Sequence, residues 1–117
     1  MKETINTIIQ WHSQMFPDAT LKDQMDKYEE ERKEWLDSDC NDPSELADMF
    51  VVACGLARFD MYTGLCALEN VIFWANNKSI SMSKLVEAVE KKMKKNRKRV
   101  WNKTGNGTYH HENGVED

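Results

Sequence analysis

Two pairs of carboxylates stand where a surface would not put them. An apolar stripe at helical spacing runs through Leu21, Met25, Tyr28 and Trp35, and Glu31 sits within it, with Glu34 three positions further on. Glu45 and Asp48 repeat the i, i+3 spacing in a segment that is apolar nearly all round through Met49-Phe50-Val51-Val52-Ala53-Cys54. Four carboxylates directed at one interior repel each other and are costly to desolvate, and bound cations are the usual resolution. Milder explanations exist for some of them. Glu45 suits the capping box of a helix that starts at Asp42-Pro43, and Glu29, Glu30 and Glu31 suit a charged face paired with Lys27, Arg32 and Lys33. Asp48 has neither explanation, lying past the first turn beside Met49 and Phe50. Oxygen donors alone select a hard ion, Mg²⁺ with Mn²⁺ as a substitute. A di-iron bundle needs Glu-x-x-His pairs, and none of His12, His110 and His111 follows a glutamate by three. The chemistry to expect is phosphoryl rather than redox.

A basic segment matches the acidic one. Twelve carboxylates against four cations lie between Asp18 and Asp48, whereas Lys91–Lys103 holds eight basic residues and no acid, all within a net charge of −4. Lys92, Asn96 and Arg99 recur at i, i+4, i+7, and Asn96 continues an apolar stripe from Val89 and Met93. An amide is misplaced there unless something binds it. Lys and Arg that merely complement a helix dipole, or a nonspecific nucleic-acid patch, are the plainer readings.

The elements that must position these residues are helices. The pattern predicts a helix from Ile5 to Phe16, a second over about Leu21–Leu36, and a third over about Pro43–Tyr62 that Gly64 ends. A fourth covers about Leu65–Asn76, and Ser81 or Ser83 caps a fifth that continues to about Trp101. Residues 102–117, with three glycines and no periodicity, read as a tail behind a single domain over 1–101. With no strand-like alternation, the fold class is all-α, an antiparallel bundle of four to five helices. A third helix apolar on every side exceeds what 117 residues can enclose, so a homodimer or homotetramer is expected to complete the bundle. No apolar run is long enough to span a bilayer, the first ten residues do not read as a signal peptide, and Cys40, Cys54 and Cys66 form no CxxC pair. A cytoplasmic protein with reduced thiols and no membrane partner is expected.

The motif Glu30-Glu31-Arg32-Lys33-Glu34 followed by Glu45-Leu46-Ala47-Asp48 resembles the EExxE…ExxD signature of the MazG-like all-α nucleoside triphosphate pyrophosphohydrolases. Lys92-Met93-Lys94-Lys95-Asn96-Arg97 is similar to the K-x-x-x-N-R element of the same family. The resemblance implies that Glu31, Glu34, Glu45 and Asp48 hold Mg²⁺ against a triphosphate, and that Glu30 or Glu34 orients or deprotonates the attacking water. It implies Lys92, Asn96 and either Arg97 or Arg99 as phosphate contacts, with Trp11 and His12 bordering the base, although a core Trp and a helix-face His are the plainer assignments for these two. Trp11-His12, Phe16-Pro17-Asp18-Ala19-Thr20 and the segment from Asn96 to His111 are similar to small phage and bacterial members, some of them dATP/dGTP diphosphohydrolases. The implied reaction is hydrolysis between the α and β phosphates to a nucleoside monophosphate and pyrophosphate. Other readings are a catalytically silent bundle that binds a partner, a basic nucleic-acid-binding module, and a hydrolase of another pyrophosphate compound. The acidic second helix opposes a nucleic acid.

Overall fold

The computed structural model describes residues 2–99 in full and the backbone of 101–103 and 109–111. Five helices follow one another: α1 (Ile5–Met15), α2 (Leu21–Asp37), α3 (Pro43–Phe59), α4 (Met61–Asn77) and α5 (Met82–Asn96). Their starts are set by short polar side chains that take up the free N–H groups of the first turn. Thr4 and Thr7 form one capping box and Thr20 and Asp23 another. Asp42 accepts from the Ser44 N–H with Pro43 as first helical residue, and Ser81 accepts from the Lys84 N–H. No helix among the described residues is long and apolar enough to cross a membrane.

The centre of the molecule is α3, against which α1, α2, α4 and α5 all pack. Leu46, Ala47, Met49, Val51, Val52, Ala53, Cys54, Leu56 and Ala57 are all buried within the single chain. The chain itself covers most of this helix, with Phe50 and Phe59 left half-buried. Four short neighbours suffice because each lays an apolar stripe on a different side, with Ile8, Trp35, Val71 and Met93 fully buried against it.

Two helix boundaries also differ from expectation. The third helix stops at Phe59, and Asp60 serves as its C-cap while its carboxylate caps α4 by accepting from the Thr63 N–H and the Thr63 hydroxyl. Gly64 is consequently not a helix end but a buried position inside α4, where a Cβ would overlap the backbone of Ala57. Its small size lets α4 lie close on α3. At the other end α5 finishes at Asn96, not Trp101. The segment expected to be a featureless tail contains a ribbon, β1 (Trp101–Lys103) antiparallel to β2 (Tyr109–His111), with Trp101 opposite His111 and Lys103 opposite Tyr109. Three residues per strand are too few for alternation to reveal. The remaining tail positions, 104–108 and 112–117, lie outside the described residues.

Candidate metal centre

The i, i+3 pairs of α2 and α3 meet across the contact between those helices. One carboxylate oxygen from each of Glu31, Glu34, Glu45 and Asp48 lies within 4.8 Å of the other three. Glu31 is the deepest, only 7% exposed, and its Oε2 has no donor among the described residues. Glu45 and Asp48 are half-buried, while Glu34 is exposed and marks the mouth of the cluster. The Glu45 carboxylate does not close a capping box on Asp42; its Oε2 is buried and likewise has no donor, so the capping explanation is set aside.

Burial, then the Asp48 and Glu34 charges, raise the Glu31 carboxyl to about 8, against the pull of Lys27 at 3.5 Å. Burial also raises Glu45, with Asp48 and Glu34 adding to it, and raises Asp48 against the opposing charge of Lys92. A group of oxygens that resist ionisation together is one that a cation would relieve. The donor set, all oxygen and open on one side, fits a hard divalent ion.

α5 supplies the positive wall. Lys92 is buried, with Nζ 3.3 Å from Asp48 Oδ2. Arg99, just past the helix end, is buried as well; burial works against its charge, and Asp48 and Glu31 work for it. Its Nη1 donates to Asn96 Oδ1 at 3.1 Å, so Asn96 holds Arg99 toward the acids. Lys91, Lys94, Lys95 and Lys98 remain exposed. A groove of about 390 Å³ opens beside this wall, between the first turn of α3 and α5, lined by Lys84, Lys91, Lys92 and Lys95 together with Asp42 and Glu87. Lys84 was not singled out from the sequence, although its i, i+7 spacing to Lys91 was available as a signal.

The other expected site residues lie elsewhere. Glu30 is on the exposed side of α2, 3.4 Å from Lys27, and is not among the four clustered carboxylates. Arg97 forms a two-pronged pair with Glu3, Nε and Nη2 each 2.8 Å from a carboxylate oxygen, and so ties the end of α5 to the start of α1. Arg97→Ala is expected to lower stability by about 1 kcal/mol. Urea unfolding of the variant beside wild type reads the loss.

Trp11 and His12 are core residues. Trp11 packs edge-on against Phe16 at 5.3 Å. Arg58 Nη1 donates to His12 Nδ1 at 3.0 Å, and a guanidinium can only donate, so the ring is neutral with its proton on Nε2, which donates to Gln24 Oε1 at 3.0 Å. Burial, with Arg58 adding and Gln24 opposing, pulls the imidazole from 6.5 down to about 4. The unfolded chain therefore binds a proton that the folded chain refuses between those values. His12 adds stability that is present above pH 6.5 and lost as the pH falls to about 4. The loss amounts to about 3 kcal/mol, and His12→Gln should flatten that part of a pH series of urea midpoints.

Comparison of the chain with protein-family models, with curated proteins and with solved structures returned no match.

Proposed function

We propose that the chain is a Mg²⁺-dependent nucleoside triphosphate pyrophosphohydrolase of the MazG-like kind, cutting between the α and β phosphates. The observation that carries the reading is the buried Glu31 carboxylate, whose Oε2 has no donor among the described residues, within a four-carboxylate cluster that faces Lys92, Asn96 and Arg99. Glu31, Glu34, Glu45 and Asp48 would hold the ion. When bound, Mg²⁺ offsets the charge of the acids and of the phosphates that must approach them.

The chain's own groups divide the remaining work. Glu34, at the open mouth, accepts the proton of a water whose oxygen attacks the α phosphorus, in preference to Glu30, which is turned toward Lys27. The bond from that phosphorus to the bridging oxygen breaks, and the pyrophosphate carries away the electron pair. Lys92 and Arg99, the latter held by Asn96, stabilise the charge that builds on the leaving group. Within this class the resemblance points to dATP and dGTP, and a reaction on free nucleotides suits the cytoplasm.

The test is product identification after incubation with Mg²⁺ and each of the four common ribonucleoside and four deoxynucleoside triphosphates. Monophosphate and pyrophosphate in equal amounts are expected from at least one. Diphosphate and orthophosphate, or no turnover of any, would refute the proposal.

A further inference from the structure

α5 carries two stripes of opposite character. Leu85, Val89 and Met93 are buried in the core, while Lys84, Lys91 and Lys95 recur at i, i+7, i+11 and share an exposed face. That face is not an open, convex surface. The start of α3, at Asp42 and Pro43, stands beside it, and the two elements enclose the groove of about 390 Å³, a size typical of sites for small ligands. Four lysines meet two carboxylates there, so the groove is positive on balance. Lys92 is held by Asp48 and Lys91 lies 3.8 Å from Glu87, whereas Lys84 and Lys95 have no carboxylate partner among the described residues. The Asp42 carboxylate is engaged by the Ser44 N–H.

We infer that this groove binds the linear phosphate chain of an inorganic polyphosphate. Three observations select that ligand. The charge favours an anion, and the first turn of α3 adds the positive end of its dipole. The row from Lys84 to Lys95 extends about 16 Å along the helix axis, so a chain of three or more phosphates can lie along it, whereas one orthophosphate engages only part of it. Among the described residues that line the groove, only Pro43 and Ala88 are apolar and none is aromatic, which leaves a nucleobase nothing to stack on. The inference goes beyond the proposed reaction. None of the four clustered carboxylates lines the groove, and binding there needs no metal.

Isothermal titration calorimetry of the full chain with inorganic tripolyphosphate, in EDTA, tests it. Saturable binding at one site per chain is expected. Lys84→Ala combined with Lys95→Ala should raise Kd about tenfold or more. Lys94→Ala combined with Lys98→Ala removes the same charge from exposed positions outside the groove, and should raise Kd less than about threefold. All four side chains are exposed, and circular dichroism confirms that helix content is kept. A wild-type chain that binds no tripolyphosphate overturns the inference. Equal losses in the two double variants overturn it as well, because the lysines would then act only as a diffuse field. ATP that binds more tightly than tripolyphosphate and is lost with Lys84 and Lys95 would also overturn it, and would assign the groove to nucleotides. No turnover is read in EDTA, so the result stands apart from the test of the nucleotide reaction.

Discussion

Glu34→Gln and Asp48→Asn should both abolish Mg²⁺-dependent turnover, but only the first should make the metal-free fold more stable. Each removes one charge from a site that holds a cation by charge, and loss of kcat/KM by about 10³ or more is expected, equivalent to about 4 kcal/mol of transition-state stabilisation. Their effects on folding differ because their neighbours differ. Among the described residues Glu34 has no ion-pair partner, and it repels Glu31, Glu45 and Asp48, so a neutral amide there relieves repulsion, by roughly 0.5–1 kcal/mol at this exposed position. Asp48 also repels its neighbours but balances the buried Lys92 at 3.3 Å. In Asp48→Asn the relief is offset by a buried ammonium that loses its counter-charge. Pyrophosphate-release kinetics together with urea unfolding in EDTA separate the two. Full activity in either variant, or in excess EDTA, would remove these residues from the reaction.

The second large effect belongs to Asn96. Its side-chain oxygen accepts from Arg99, so Asn96→Ala costs the phosphate wall both an amide and the fixed position of a guanidinium. At roughly 1.5–3 kcal/mol per hydrogen bond to a charged group, kcat/KM should fall by about one to two decades, with Mn²⁺ affinity of the free protein little changed. Lys98→Ala, on the exposed side of the chain just past α5, should cost far less. Equal losses from Asn96, Lys92 and Lys98 substitutions would mean that the basic segment acts only as a diffuse field. No loss from any of them would put the phosphates elsewhere.

The cluster itself was legible because Glu31 and Asp48 interrupt apolar stripes, and an interrupted stripe is a local property of one helix. Glu30 illustrates the limit of that logic. It neighbours Glu31 in the chain, yet a step of one residue turns a side chain about 100° around the helix, and here it turns Glu30 toward Lys27 and solvent. Gly64 misled for a related reason. Glycine after an apolar run reads as a helix end, and its actual role, clearance for the backbone of Ala57, depends on two helices lying together. The all-round apolarity of α3 reads as requiring further copies, yet four helices of the same chain bury most of it and leave Phe50 and Phe59 half-buried, which depends on how the helices pack. The partners of His12 were out of reach altogether, since Arg58 is 46 residues away and nothing local announces a guanidinium on that ring.

Whether Glu31, Glu34, Glu45 and Asp48 form one cation site is read most directly by titrating the full chain with Mn²⁺ and following the free ion by electron paramagnetic resonance. Wild type should remove Mn²⁺ from solution saturably, excess Mg²⁺ should release it, and Glu31→Gln should weaken binding about tenfold or more. A wild-type chain that leaves all the Mn²⁺ free, or a Glu31→Gln chain that binds as wild type does, would contradict it.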